Sequence, residues 1–397
     1  MWGRYGLLLK TSNGLMFGAE PPKPLGLIRL IFLVLAMTPF SAVANEDGAA
    51  IAISANRGAL SGQKAKSTSN PVRQLGLVGG RLDGTRTVRM DGRNLNGSSF
   101  ALRFSGGSAE DSAAYETKNL LAPEKERRTR RSAVWFAGDV TLDSKRAEDP
   151  RLATVYTDGV VFGADTRLGR SLLVGNAVGM AFDKTGIGSQ GSLETRALSD
   201  TLYASLATSP DTYLDVMLGA SRTEFLNDLG VAALSSSERF ADQAFGMARF
   251  SRQFQHNQLR LRPYGQARYL RTQLSAYDVK GDETYSVDAF AAGSLQFTMG
   301  LRGETSRKTK TGKVAPKVVL EISRALKRNS GSVVTSTDGI EEVAAASSHR
   351  SGRVLARTGI DWTITDAASV SGEYSVSTPL RDFEAEQHLS ASFKLTF

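Results

Sequence analysis

The sequence predicts an all-β fold, a transmembrane barrel of twelve antiparallel strands around a polar interior. Three observations point to it. From Ala133 onward the chain divides into segments of roughly 10 to 15 residues that alternate apolar and polar side chains. The connections between these segments alternate between tight and long. No run of 18 or more apolar residues occurs, so a helix of membrane-spanning length is lacking, whereas a spanning strand needs only about 10 residues and every second one can be polar.

The chain opens with what reads as an export signal over residues 1–44. Lys10, Lys23 and Arg29 precede the apolar core Leu30-Ile31-Phe32-Leu33-Val34-Leu35-Ala36-Met37, and Ala42-Val43-Ala44 is a small-residue cleavage site, so cut ends are expected at Ala44 and Asn45. The approach to the core is long, which fits either an extended signal or a start at Met16. Eight apolar residues are too few for a retained anchor. Residues 45–108 are rich in Gly, Ser and Asn and read as a short exported segment. Within it, Gly80-Arg81-Leu82-Asp83-Gly84 and Gly92-Arg93-Asn94-Leu95-Asn96-Gly97 look like two turns of a strand repeat, fewer than the roughly three a solenoid needs.

Twelve strand segments follow, at about 133–144, 155–167, 171–183, 195–208, 212–225, 238–254, 258–273, 284–302, 314–327, 350–364, 367–377 and 385–397. The last shows the pattern best. Leu389, Ala391, Phe393, Leu395 and Phe397 fall on one face, with Ser390, Ser392, Lys394 and Thr396 on the other, because successive strand side chains point to opposite sides. In 258–273, Leu259, Leu261, Pro263, Ala267 and Tyr269 share one face, and Arg260, Arg262, Gln266, Arg268 and Thr272 the other. Three arginines on one face have no place in a dry core without partners, but suit a wet lumen. Arg260, Arg262 and Arg268 are therefore the lumen-facing candidates, with Glu304 and Glu321 as carboxylates on neighbouring strands.

The connections carry the topology. Gly169-Arg170, Pro210-Asp211, Gln255-His256-Asn257 and Asp366 are tight, and the turn around 308–313 is somewhat longer. The intervening connections, such as 184–194, 227–237 and 328–350, are long. Short turns on one side and long loops on the other are what an outer-membrane barrel shows.

At this point the segment Thr157-Asp158-Gly159-Val160-Val161-Phe162-Gly163-Ala164-Asp165 resembles the second strand of the autotransporter β-domain, the translocator of type V secretion. Gly175-Asn176-Ala177-Val178-Gly179, Leu202-Tyr203-Ala204-Ser205, Tyr213-Leu214-Asp215-Val216-Met217-Leu218-Gly219, Arg262-Pro263-Tyr264-Gly265, Gly300-Leu301-Arg302-Gly303-Glu304 and the terminal Phe397 continue the resemblance in order over residues 133–397. The resemblance implies a Gram-negative outer-membrane barrel that exports and anchors an N-terminal segment. It also implies a monomer delivered by periplasmic chaperones and inserted by the barrel assembly machinery, which reads Leu389, Phe393, Leu395 and Phe397 as its signal. A helix threading the pore is implied too, and residues 109–122 supply a candidate that Pro123 would end. Residues 109–132 then form the linker and pore helix. The basic run Lys125, Arg127, Arg128, Arg130 and Arg131 is either solvated linker or pore lining. Two rival readings are a small-solute pore and an adhesin acting through outer loops such as 328–350; an outer-membrane protease or lipid-modifying barrel is a third.

Composition limits the chemistry. The chain has no cysteine, so disulfides, zinc–thiolate sites and cysteine nucleophiles are excluded. The net charge of +9 sits in the first third: residues 133–397 carry 30 basic and 30 acidic side chains. No nucleic-acid-binding pattern accompanies it, so the expected partners are membrane lipids and not nucleic acid. The three histidines, His256, His349 and His388, lie far apart in the strand ladder, and Ser347 and Ser348 beside His349 make no triad. Asp338, Glu341 and Glu342 do not match a calcium loop. No enzyme, metal or cofactor is expected.

Overall fold

The structure, a computed structural model, describes residues 50–90, 99–106, 132–143, 154–169, 171–187, 191–228, 237–279, 285–330, 332–337, 340–345, 352–365, 368–380 and 385–396. The export signal with Ala44 and Asn45, the candidate helix 109–122, the basic run, His349 and Phe397 lie outside the described residues.

All twelve anticipated segments are strands. They are β2 Ser132–Asp143, β3 Thr154–Leu168, β4 Leu172–Ile187, β5 Gly191–Ala207, β6 Thr212–Asp228 and β7 Ser237–Arg252, then β8 Leu259–Leu274, β9 Phe290–Thr305, β10 Gly312–Ser330, β11 Gly352–Thr363, β12 Ala368–Pro379 and β13 Glu386–Thr396. Each pairs antiparallel with the next. Among the strands of eight or more residues, one was not anticipated. β1, Ser99–Gly106, lies between the two ends of this meander, antiparallel to β13 and parallel to β2.

The wall is built inside out relative to a soluble protein. Along β6, Tyr213, Asp215 and Met217 are buried while Leu214, Val216 and Leu218 face outward. Met299 is 70% exposed, Leu389 65% and Leu218 58%, yet Asp215, Arg239 and Lys394 are buried. Each large apolar side chain left in water forgoes about 1.5–3 kcal/mol, and here dozens of them form a continuous outer surface. Hydrocarbon is the solvent that suits it.

The connections follow the expected parity with one correction. β4 and β5 remain paired as far as Ile187 opposite Gly191, so most of 184–194 is not loop but a hairpin extending the wall. Long strands there keep backbone groups paired where a loop would leave them to water. Three tight turns rely on left-handed backbone, at Gly169 (φ 72°), Asn257 (φ 52°) and Gly312 (φ 130°). At the turn before β6, the Ser209 hydroxyl and then Arg252 hydrogen-bond Asp211 and hold its carboxyl below the usual range. At the opposite end, Tyr277–Val279, Tyr285–Val287, Ser332–Thr337 and Ile340–Ala345 pair into a separate four-stranded sheet.

The second correction concerns residues 45–108. They hold α1, Ala50–Met90, so Gly80–Gly84 is helical and not a strand turn. At 1.5 Å per residue the helix is about 60 Å long. Its sequence has seven Lys and Arg against one acid, Asp83, with six glycines and an internal Pro71. Glycine and proline each weaken an isolated helix, so its stability comes from what surrounds it.

Candidate functional site

What surrounds α1 is the inner face of the wall. Leu75, Leu77, Val78 and Leu82 pack in one cluster with Trp135, Ala137, Val161, Tyr203, Met217, Phe245 and Leu270, which come from six different strands. The helix is buried on all sides along this stretch, and its small residues permit the fit: a Cβ at Gly62 would meet Leu193 at 2.9 Å.

The direction of α1 is fixed by its contacts. Near the long-connection end, Gln63 donates to Asn227 at 2.8 Å and accepts from Arg239 at 3.0 Å. Arg239 also donates to the carbonyls of Ser275 and Asp288 at 2.7 and 2.9 Å, tying the helix to the β8–β9 connection. Lys66 pairs with Asp183 at 2.5 Å. At mid-height the Gln74 amide donates to the Ala177 carbonyl at 3.2 Å.

Near the tight-turn end the contacts become ionic. Arg81 grips Asp165 with two bonds of 2.8 and 3.1 Å. Tyr203 donates to the same carboxylate at 3.2 Å, and Trp135 donates to Tyr203 at 2.8 Å. Asp83 receives both ends of the Arg249 fork at 2.8 Å, Arg262 at 3.1 Å and Arg86 at 2.8 Å. Arg86 reaches onward to Asp215 and Ser251, and Arg249 also meets Asp215 at 3.0 Å. Paired forks of this kind are the strong, geometrically specific class of ion pair. Buried charges also need them, since removing one partner typically costs about 3–5 kcal/mol.

The candidates from the sequence stand around this cluster. Arg262 meets Asp83 as stated. Glu304 pairs with Arg302 at 3.3 Å and Arg260 at 3.6 Å. Glu321 accepts from the Tyr264 hydroxyl, and both line the same cavity as Arg268. Lys317 bridges Asp361 at 3.0 Å and Glu373. Leu389, Phe393 and Leu395 lie on the outer face. His256 is exposed in a tight turn, and His388 is buried on the inner face of β13. Among the described residues, no cluster of metal-ligating side chains is present.

Sequence reasoning missed a second device. Trp135 lies directly across from Gly163, Tyr203 from Gly175, Phe245 from Gly219 and Tyr264 from Gly300. In each pair the ring covers the glycine so closely that a Cβ would overlap it. The aromatic and glycine positions were visible, but the register that pairs them was not.

A strand meander with an apolar exterior, a charged interior and tight turns at one end defines the class: an outer-membrane β-barrel. Residues 135–375 match the family model of the autotransporter beta-domain, and the chain belongs to that family. It is an outer-membrane translocator barrel of the Gram-negative type, and export of a passenger is the family's role. Among solved structures it is similar to the β-domain of the Bordetella autotransporter BrkA, with a TM-score of 0.46 and 17% identity over 60% of this chain and 90% of that one. The translocator domain of NalP from Neisseria meningitidis gives 0.46 and 14%, over 60% and 79%. LpxR from Salmonella typhimurium gives 0.33 and 11%, over 61% and 89%. No protein of curated function matches the sequence.

Proposed function

We propose that this barrel exports its own N-terminal segment and keeps α1 as the strand-enclosed stem that anchors it. The residues ahead of Ala50 and the first turns of α1 stand at the cell surface, and residues 1–44 serve as the export signal removed between Ala44 and Asn45. Residues 109–132 act as a linker between β1 and β2. Tight turns mark the periplasmic side of such barrels and long loops the outer side. The observation that carries the reading is the course of α1, from Gln63 beside Asn227 at the loop end to Arg86 beside Asp215 at the turn end. That course is the one left behind when an N-terminal segment leads through the pore.

Supporting the outer-face role of Leu389, Phe393 and Leu395 as the signal for the assembly machinery, with Phe397, is their alternation with buried His388, Ser390 and Lys394. Periplasmic chaperones would hold this strand until insertion, and the monomer is the working unit. Arg260, Arg262, Arg268, Glu304 and Glu321 serve as the interior lining that grips the stem, and no catalytic role falls to them. A filled interior speaks against a small-solute pore. A surface-binding role has one observation in its favour, the four-stranded sheet at the loop end.

The test is protease shaving of intact cells that carry an epitope inserted between Asn45 and Ala50. Loss of the epitope with the barrel intact is the expected result. Complete protection, in cells whose known surface proteins are cleaved, overturns the export reading.

A further inference from the structure

On the lipid side of the wall, the apolar faces of β8 and β10 each end in an arginine. A hydrocarbon belt about 25 Å tall, crossed by strands tilted about 35–45°, takes up roughly ten residues of a strand. On β8 that stretch runs from Leu259 to Tyr269, and the next outward side chain is Arg271. On β10 it runs from Gly312 to Ile322, and the next is Arg324. Both arginines are exposed, and among the described residues neither forms a hydrogen bond or an ion pair. Other cations along this edge have counter-charges: Arg196 meets Glu194 at 2.8 Å, and Arg222 stands 3.9 Å from Asp242. β8 contains no acid, and the acids of β9 and β10, Glu304 and Glu321, point inward. At the same height on β11 and β12 the outward residues are the uncharged Val354 and Thr378.

β9 lies between the two arginines. It sets Gly293 directly opposite Arg271 and Phe297 directly opposite Arg324. Strand geometry therefore puts the two arginine Cα atoms about 17 Å apart. The ground between them is open, since a Cβ at Gly293 would meet nothing nearer than 3.8 Å. Below it, toward the tight turns, Phe297 and Met299 are exposed apolar side chains.

We propose that Arg271 and Arg324 form a docking site for the diphosphorylated glycolipid of the outer leaflet, one guanidinium to each phosphate of its disaccharide headgroup. Guanidinium forks match phosphate oxygens. An arginine stem lies along apolar surface and delivers its charge to the headgroup level. Two separated cations with no acid between them suit two phosphates held apart by sugars, whereas a phospholipid offers one. The acyl chains then lie over Phe297, Met299 and Ile322, and Tyr269, 48% exposed, sits at the interface beneath Arg271. The site requires that the long connections face outward, and is independent of whether the N-terminal segment is displayed, because it lies on the other side of the wall from α1.

The experiment uses the full chain purified from the outer membrane in detergent and stripped of lipid. It is titrated with diphosphorylated lipid A, monophosphorylated lipid A or phosphatidylglycerol, and the lipid retained per chain is read by native mass spectrometry. One diphosphorylated lipid A per chain is expected, held more tightly than either of the others. Arg271→Gln and Arg324→Gln should each weaken it about fivefold, and the double variant about thirtyfold. Arg252→Gln, at the exposed tight turn, should leave it unchanged. Both substituted side chains face outward, so the variants should keep the compact, heat-modifiable form on gels that shows the barrel is folded. Phosphatidylglycerol retained as tightly as diphosphorylated lipid A overturns the proposal, since it identifies a general anionic-lipid surface. So does full retention of lipid A by the folded double variant.

Discussion

Asp83 is the only acid in α1, and it gathers Arg86, Arg249 and Arg262 at once. Replacing it with asparagine preserves shape but leaves three guanidiniums facing one another. Asp83→Asn should lower stability by about 3–5 kcal/mol, read as a lower temperature for losing the compact gel form, and should expose α1 to protease added from the periplasmic side. Gly300→Ala tests the other device. The added methyl overlaps the Tyr264 ring, and forced overpacking costs about 1–3 kcal/mol, so the compact form should melt earlier while Gly265→Ala, where the space is open, should not. Arginine parity on β8 was legible because it needs only the two-residue period of one strand. The partners of those arginines were not, since Asp83 lies roughly 180 positions upstream of Arg262 in a segment that reads locally as a loop.

Strands and helix differ in how plainly the sequence announces them. The twelve meander strands are visible because one face meets hydrocarbon and the other meets polar groups, which forces alternation in every segment. α1 hides for the opposite reason. Enclosed all round, it needs no apolar stripe, and close packing against Leu193 favours glycine at Gly62, a residue type that usually marks turns. β1 is hidden as well, being eight residues long and flanked by glycine and serine. An element made stable by its enclosure should lose its role when the enclosure is emptied. Deleting residues 50–90 should convert a quiet barrel into one with a large, steady single-channel conductance in planar bilayers. Deleting only 109–131 should leave the conductance low. A high conductance in the unaltered chain contradicts the packing seen around Leu75, Val78 and Leu82.

At the scale of the whole molecule, the family was legible in the order of motifs along residues 133–397, and the family match spans residues 135–375. The wall itself has a property of its own. β1 runs with β2 and against β13, so β2 and β13 run against each other, and Ala137 and Lys394 flank the same residue, Ala101. Both point inward. Since the chain has no cysteine, Ser105→Cys with Ser390→Cys should cross-link on mild oxidation, as these residues face each other across β1 and β13. Ala137→Cys with Lys394→Cys should stay reduced while β1 separates them. If β1 is unseated, the flanking edges meet with polarity and inward faces already matched. The girth then shrinks by one strand spacing, about 4.8 Å, and the hoop shuts with one stave fewer.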